Sequence, residues 1–213
     1  MISLPPLYAV ADAAFGDPVE LARQLFDGGA RLVQVRNKLA GAGALLRQVE
    51  ATLQIAPKGC RVIVNDSVDV ALLSGAAGVH LGQADLPAAK ARSLLPPNSI
   101  IGVSTHSLAQ ALRCQTEPVD YIAAGPVFQT STKSDAEPTI GLDGLREICA
   151  SVKLPVVAIG GITRQNARAV LECGVSSVAV ISDLLRFEDV THRTEEWLRY
   201  NSNLCQSPWT STS

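Results

Sequence analysis

The stretch from residue 61 to residue 66 reads Arg61-Val62-Ile63-Val64-Asn65-Asp66, an apolar run that ends in an amide and a carboxylate. Continuous apolar runs of this kind are typical of strands buried on both faces, as in parallel sheets. The same pattern, a polar cluster directly after an apolar run, recurs at residues 34–38, 82–85, 130–133 and 160–161. In a closed barrel of parallel strands all these clusters would meet on one face, where such barrels build active sites.

The rest of the chain repeats the order strand, polar loop, helix, turn, which indicates an α/β protein with parallel strands. Eight such units favour a closed barrel, so the predicted fold is a single-domain (β/α)8 TIM barrel. The predicted strands are residues 7–10, 31–35, 61–65, 78–81, 99–103, 121–124, 155–159 and 177–181. The predicted helices are residues 19–26, 45–53, 68–73, 86–94, 108–113, 142–151 and 166–173, with a last helix near 188–200.

Composition agrees with one domain. The chain has 213 residues, of which 47% are hydrophobic and only 4% aromatic, so the core consists mostly of Val, Ile, Leu and Ala, as barrel interiors do. We assign residues 1–200 to the catalytic barrel and residues 201–213, rich in Ser, Thr, Asn and Gln, to a flexible tail. A net charge of -2 gives no general attraction for nucleic acid or membrane surfaces.

No export signal or membrane-spanning run is recognisable, which predicts a cytoplasmic protein. The five cysteines form no CxxC pair and are odd in number, so buried free thiols are expected rather than disulfides or a zinc site. The sequence leaves the oligomeric state open, including a homo-oligomer.

Two carboxylates follow neighbouring strands. Asp66 comes after the third predicted strand and Asp85 after the fourth. Carboxylates side by side repel each other unless a divalent cation lies between them or one of them is protonated. The alternative is that each aspartate caps the helix that follows it.

Three cations stand near them in the predicted barrel. Arg36 and Lys38 alternate at the end of the second strand and share an orientation, and Lys133 follows the sixth strand. Arg and Lys both suit a polyphosphate. The alternative for each one is a solvated surface side chain.

A second anion site is indicated after the last two strands. Gly160-Gly161 follows the seventh strand and Ile181-Ser182 the eighth, the loops that frequently hold phosphate in such barrels. Thr130 and Thr132 could add hydroxyl groups. The alternative is that the glycines only form a turn.

The remaining polar residues divide between structure and chemistry. Ser107 is expected to cap a helix, His80 to be a hydrogen-bonded core histidine and His192 to lie at the surface. His106 is a weak acid–base candidate.

These motifs, taken in order, resemble those of the thiamine phosphate synthase family from about residue 7 to residue 185. The family shows Q-x-R-x-K, N-D, H-x-G-Q-x-D, G-V-S-x-H, G-P-x-x-x-T-x-T-K, I-G-G-I and a final I/V-S. The matching residues here are Gln34/Arg36/Lys38, Asn65-Asp66, His80/Gly82-Gln83/Asp85, Gly102-Val103-Ser104/His106, Gly125-Pro126/Thr130/Thr132-Lys133, Ile159–Ile162 and Ile181-Ser182. Asn37 and Ser67 differ from the acidic and Arg residues usual in the family.

The resemblance implies a transferase that joins a hydroxymethylpyrimidine diphosphate to a hydroxyethylthiazole phosphate, forming thiamine phosphate and releasing pyrophosphate, with Mg2+ as cofactor. It implies metal positioning by Asp66 and Asp85, and catalytic roles for Arg36, Ser104 and Lys133. The implied pyrimidine diphosphate site is Gln34, Arg36, Asn37, Lys38, Asn65, Ser104 and Lys133. The implied thiazole phosphate site is Thr130, Ser131, Thr132, Gly161, Ile181 and Ser182.

Two other functions fit the same barrel. One is a thiazole tautomerase-like paralogue, in which a His usually stands at the position of Pro126 and the acidic pair is incomplete. The other is a non-catalytic regulator that binds phosphorylated ligands. Pro126 together with Asp66 and Asp85 favours the synthase over the tautomerase.

Overall fold

A computed structural model describes residues 2–130 and 138–205 of the chain, and side chains within these ranges as far as residue 200. In this part eight parallel strands close into one barrel in sequence order, with β1 paired to β8. The strands are β1 (Leu7–Asp12), β2 (Leu32–Arg36), β3 (Arg61–Asn65), β4 (Gly78–Leu81), β5 (Ile100–Thr105), β6 (Tyr121–Ala124), β7 (Val156–Ile159) and β8 (Ser177–Val180). The predicted (β/α)8 barrel is confirmed, and no predicted strand end is shifted by more than two residues.

The strands are apolar along their length because both of their faces are buried. In β3, Ile63 points into the barrel interior, while Val62 and Val64 pack outward in the layer between strands and helices. The interior cluster is completed by Tyr8, Leu32, Ile100, Tyr121, Ala123, Val157 and Ala179. A residue period of two with apolar side chains on both faces produces the continuous runs seen in the sequence.

The helices surround the barrel. They are α1 (Pro18–Asp27), α2 (Ala42–Ile55), α3 (Val68–Ser74), α4 (Ala88–Leu94), α5 (Leu108–Cys114), α6 (Gly141–Ser151), α7 (Ala167–Leu171), α8 (Ser182–Leu185) and α9 (Val190–Cys205). The four-residue α8 was not predicted, and α9 continues to Cys205, beyond the predicted helix end near residue 200.

Local signals account for several helix ends. Asp17 caps α1, its Oδ1 accepting from the backbone N–H groups of Val19 and Glu20 at 2.9 and 3.0 Å. The Ser107 hydroxyl accepts from the Gln110 N–H at the start of α5, which confirms its predicted cap. Helix α3 ends on Gly75 at φ +70°, a left-handed conformation that glycine adopts without steric cost.

Helix α9 packs across the end of α1 and against α8. Its Trp197 is fully buried. A Cβ at Gly28 would lie 2.5 Å from the Cβ of Thr194, so glycine is needed where α1 and α9 meet.

The cysteines with described side chains, Cys60, Cys114, Cys149 and Cys173, are free thiols. Within the part of the chain that the structure covers, no helix has the length and apolar character to cross a membrane.

Candidate active site

A cavity of about 600 Å³ opens at the carboxyl end of the strands. Every predicted site residue that the structure describes lines it, although these residues come from seven different strands, β2 to β8, and the loops that follow them. They are Gln34, Arg36, Asn37, Lys38, Asn65, Asp66, Asp85, Ser104, Thr130, Gly161, Ile181 and Ser182. Ser131, Thr132 and Lys133 lie outside the described residues.

The two aspartates meet at the cavity wall, and neither caps a helix. The residue before α3 is Ser67 and the residue before α4 is Pro87. The Asp85 Oδ2 atom instead accepts the Gly82 N–H at 2.6 Å, which closes the turn after β4. Asp66 has φ +63°, the one positive φ outside glycine among the described residues. Such a conformation is uncommon for a residue with a side chain and tends to occur at functional sites.

The charge state of Asp85 reflects this crowding. Burial raises the pKa of its carboxyl, and the Asp66 side chain raises it further by a hydrogen bond and by charge repulsion. The Gly82 N–H and Lys38 oppose this rise in the pKa. Two carboxyls held together in this way would bind a divalent cation with relief of their repulsion.

Both described cations of the site are paired with carboxylates. Arg36 forms an ion pair with Asp12 at the end of β1, and both side chains are nearly buried. Lys38 forms an ion pair with Asp66, but its side chain is 55% exposed. Arg36 is therefore held rigidly, whereas Lys38 can turn toward a ligand at low cost.

Asn37 organises the loop between these cations. Its Oδ1 accepts from the backbone N–H groups of Leu39 and Ala40 at 3.1 and 3.2 Å, and its Nδ2 donates to Gln48 at 3.2 Å. All these contacts lie within the loop and α2. The structure thus gives Asn37 a clear structural role beside its predicted ligand contact.

The opposite side of the cavity consists of the turn after β7 and the start of α8. Gly160 and Gly161 have φ values of +101° and +64°. Asn166 holds this turn, donating to the Gly161 carbonyl at 2.9 Å and accepting the Thr163 N–H at 2.8 Å. Ile181 and Ser182 follow β8 and begin α8.

The two histidines of the site differ in their surroundings. His80 is buried, with Nδ1 2.9 Å from the Tyr121 hydroxyl and Nε2 2.9 Å from the Ser104 hydroxyl, as expected of a core histidine. The Nδ1 of His106 donates to the Gly125 carbonyl at 2.6 Å, which fixes its ring at the cavity rim. Gln83 donates to the Ser104 carbonyl at 2.7 Å and so ties the loop after β4 to strand β5.

A family model described as thiamine monophosphate synthase matches residues 7–184 of the chain. The chain belongs to the thiamine monophosphate synthase family. The family resemblance read from its motifs is thereby confirmed.

Individual relatives agree with this membership. The chain is 43% identical over 198 residues to thiamine-phosphate synthase of Chlorobium phaeovibrioides, covering 92% of this chain and 94% of the relative. It is 45% identical over 196 residues to thiamine-phosphate synthase of Pyrococcus furiosus, covering 89% and 91%. The solved thiamine phosphate pyrophosphorylase of Pyrococcus furiosus has a TM-score of 0.85 at 41% identity, covering 93% and 96%. The chain is an enzyme of the thiamine-phosphate synthase kind.

Sequence reasoning missed three polar residues of this family member's site. Asp12 lies in a part of β1 that was taken for a loop, and Tyr8 and Tyr121 were read only as apolar strand residues. A carboxylate at the end of a strand, one strand away from Arg36, was the signal available for Asp12. For the two tyrosines the sequence offers no such signal, because their partners lie across the barrel.

Proposed function

We propose that this enzyme joins 4-amino-2-methyl-5-hydroxymethylpyrimidine diphosphate to 4-methyl-5-(2-hydroxyethyl)thiazole phosphate. The products would be thiamine phosphate and pyrophosphate. The observation that carries the proposal is the single cavity with a carboxylate and cation cluster on one side and a glycine turn with a serine on the other. This arrangement suits one ligand that brings a metal-bound diphosphate and a second that brings a monophosphate.

The pyrimidine diphosphate would lie on the side of β2 to β5. Arg36 would present a fixed guanidinium to the diphosphate, since its pairing with Asp12 prevents it from turning away. Lys38 would leave Asp66 and follow the ligand. Gln34, Asn37, Asn65 and Ser104 would supply the neutral contacts, and Lys133 a further cation.

The residues present fit Mg2+. Asp66 and Asp85 offer hard carboxylate oxygens in contact with each other. Among the side chains described in residues 2–130 and 138–200, no group of three or more His, Cys, Asp or Glu could hold a metal ion. Mg2+ commonly binds through one or two carboxylates together with substrate phosphates and water. Asp66 and Asp85 would hold it jointly with the diphosphate.

The thiazole phosphate would lie on the side of β6 to β8. The backbone of Gly161 and the residues Ile181 and Ser182 border that part of the cavity. Thr130, Ser131 and Thr132 would add hydroxyl groups from the loop after β6.

In the reaction, the bond between the pyrimidine methylene carbon and the diphosphate oxygen breaks, and its electron pair leaves with pyrophosphate. The thiazole nitrogen donates its lone pair to the same carbon and forms the new C–N bond. Arg36 and Lys133 would stabilise the negative charge that develops on the departing diphosphate, and Ser104 would donate a hydrogen bond to it. A bound Mg2+ would supply further charge stabilisation on the diphosphate oxygens.

The test is pyrophosphate release measured with both substrates and Mg2+, with thiamine phosphate followed in parallel. We expect equal amounts of both products, and none when either substrate is omitted or the metal is chelated. Binding of the ligands without pyrophosphate would indicate a non-catalytic binder. Isomerisation of a thiazole tautomer without pyrophosphate would indicate the tautomerase, and either result would refute the proposal.

A further inference from the structure

A chain of hydrogen bonds crosses the floor of the cavity. Gln34 Nε2 donates to the Tyr8 hydroxyl at 2.9 Å, and the Tyr8 and Tyr121 hydroxyls are 3.0 Å apart. The Tyr121 hydroxyl lies 2.9 Å from His80 Nδ1, and His80 Nε2 lies 2.9 Å from Ser104 Oγ. All five residues are no more than 7% exposed, so these hydrogen bonds are shielded from competition by bulk water.

The two ends of this chain, Gln34 and Ser104, are both residues proposed to hold the pyrimidine diphosphate. They come from β2 and β5, and the middle of the chain comes from β1, β6 and β4. The chain therefore joins the two ends through the barrel interior rather than through the loops. This connection is independent of the ion pairs at the cavity rim.

Gly102 leaves room for the Tyr121 ring, which lies in the middle of this hydrogen-bond chain. A Cβ at Gly102 would lie 2.0 Å from Cζ and 2.4 Å from the hydroxyl oxygen of Tyr121, so only glycine allows the ring to lie there. The His80 ring stacks on Tyr121 at 5.6 Å between centroids, with 21° between the ring planes. Burial also keeps Tyr121 protonated, since it raises the pKa of its hydroxyl well above the ordinary value.

One direction of donation gives each tyrosine hydroxyl hydrogen of this hydrogen-bond chain an acceptor. Because Tyr8 accepts from Gln34 Nε2, its own hydrogen is available to Tyr121, and the Tyr121 hydrogen is then available to His80 Nδ1. A histidine that accepts at Nδ1 carries its proton on Nε2, which donates to Ser104 Oγ. The hydrogen of the Ser104 hydroxyl is left for the cavity.

We propose that Tyr8, Tyr121 and His80 form a positioning relay that holds His80 as the Nε2–H tautomer and aims the Ser104 hydroxyl hydrogen into the cavity. A hydroxyl fixed as a donor matches the oxygens of a diphosphate, which only accept. The relay rests on the proposed function only in the identity of that ligand. Tyr121 acts in it without touching the ligand.

The first measurement needs no substrate. In protein labelled with 15N-histidine, the ring nitrogen shifts of His80, identified by their loss in His80→Asn, should show a proton on Nε2 and none on Nδ1. Tyr121→Phe should populate the Nδ1–H tautomer, because the donor to Nδ1 is gone. Tyr8→Phe is the matched control: it removes an equally buried hydroxyl but leaves Tyr121 able to donate, so the His80 tautomer should persist.

The second measurement is a double-mutant cycle with inorganic pyrophosphate and Mg2+ as the probe. Tyr121→Phe should weaken pyrophosphate binding roughly tenfold, the usual effect of losing a well-aimed hydrogen bond to a charged group. In the Ser104→Ala background the same substitution should change the affinity by less than about twofold, because the relay then has nothing to aim.

These results separate the relay from a structural role. If Tyr121→Phe lowered the affinity for pyrophosphate equally in the unmodified protein and in the Ser104→Ala background, Tyr121 would act only through packing. A proton on Nδ1 of His80 in the unmodified protein would overturn the proposal even if Tyr121→Phe did not fold. Because both measurements use ligand-free protein or pyrophosphate, they stand whether or not the two proposed substrates are turned over.

Discussion

Asp66 and Asp85 form a pair of residues whose close approach is unfavourable in the ligand-free protein. Asp66 has a left-handed backbone, and the two carboxyls contact each other while Asp85 is partly withdrawn from water. Lys38 offsets only part of the repulsion. Features of this kind persist where the surrounding structure enforces them, and they are found mainly at functional sites.

Asp85→Asn should raise the free energy of unfolding at pH 7 while abolishing most turnover. The pKa of this carboxyl is raised in the folded state, so its contribution to stability is present at low pH and is lost as the pH rises through the folded pKa. Asparagine has no such loss. The advantage of the variant should therefore grow from pH 4 to pH 7 in urea unfolding.

The exposed carboxylate of Glu147 on α6 provides the control. Glu147→Gln, which removes an exposed carboxylate on an outer helix, should change the stability only slightly and leave turnover intact. The prediction would be contradicted if Asp85→Asn raised the free energy of unfolding equally at pH 4 and pH 7. It would also be contradicted if the variant kept the turnover of the unmodified protein at limiting Mg2+.

The fold itself requires glycine at position 161, apart from the phosphate contact proposed for it. It has φ +64°, and a Cβ there would lie 2.7 Å from the Gln129 carbonyl oxygen. Gly161→Ala should therefore destabilise the protein by about 1–2 kcal/mol from the left-handed conformation alone, and by more from the clash. Thermal unfolding measures this loss.

Gly43 is the matched glycine. It is the second residue of α2, and a Cβ there would have only Arg47 Nη1 nearby, at 3.9 Å. Gly43→Ala should stabilise the protein by up to about 1 kcal/mol through helix propensity. If Gly161→Ala were as stable as the unmodified protein, the turn would not require glycine. The proposed phosphate contact would then be the remaining reason for a glycine at this position.

At the scale of elements, the strands were predictable and the small helix α8 was not. An apolar run that ends in a polar cluster marks both the strand and its end, as Val62 to Asp66 does. Ser182–Leu185 is too short to show a helical period, so it merged with the loop after β8. Helix α8 is held by Arg193 and Trp197 on α9. These contacts form only in the folded protein and leave no pattern in the sequence around α8.

Those partners converge on Asp183 in α8. Its Oδ2 accepts from Trp197 Nε1 and Arg193 Nη2, both at 2.8 Å, and from the Arg164 N–H at 3.2 Å. The Asp183 and Arg193 side chains are only 11% and 10% exposed. One carboxylate thus joins the β7 loop, α8 and α9, and keeps Ser182 in place at the cavity.

Asp183→Ala should lower the free energy of unfolding by about 2–3 kcal/mol, because Trp197 Nε1 loses its acceptor and the nearly buried Arg193 loses one of its two carboxylate partners, keeping only Glu196. The matched control is Asp143→Ala, which breaks the ion pair with Arg146 on α6. The Asp143 side chain is 99% exposed, so this change should cost about 1 kcal/mol or less. Equal losses for the two variants in urea unfolding would show that the Asp183 cluster adds no more than a surface pair.

For the whole molecule, the barrel explains why the sequence could predict that the candidate site residues lie together. It also explains why the contacts between their side chains could not all be predicted. Closed parallel topology brings every strand end to one face, so residues such as Lys38 and Ser182, far apart in the chain, line one cavity. The ion pair of Arg36 with Asp12 and the contact between Tyr8 and Tyr121 depend on strand register and side-chain direction. The register of the adjacent strands β1 and β2 sets the ion pair, whereas packing across the barrel, which no local pattern records, sets the contact between the two tyrosines.

The same topology separates the two proposed anion sites, with the loops after β2 to β5 on one side of the mouth and those after β7 and β8 on the other. Lys38→Ala should weaken binding of the pyrimidine diphosphate roughly tenfold or more, the effect expected for a contact between charged groups, and leave thiazole phosphate binding nearly unchanged. Ser182→Ala should weaken binding of the thiazole phosphate by a smaller factor and leave pyrimidine diphosphate binding nearly unchanged. Lys38 is 55% exposed and Ser182 lies at the cavity edge, so both variants should keep the fold. Calorimetric titration of each ligand into each variant measures the four affinities. Parallel losses for both ligands in either variant would mean that the two anions share one subsite, and the division of the barrel mouth proposed here would be wrong.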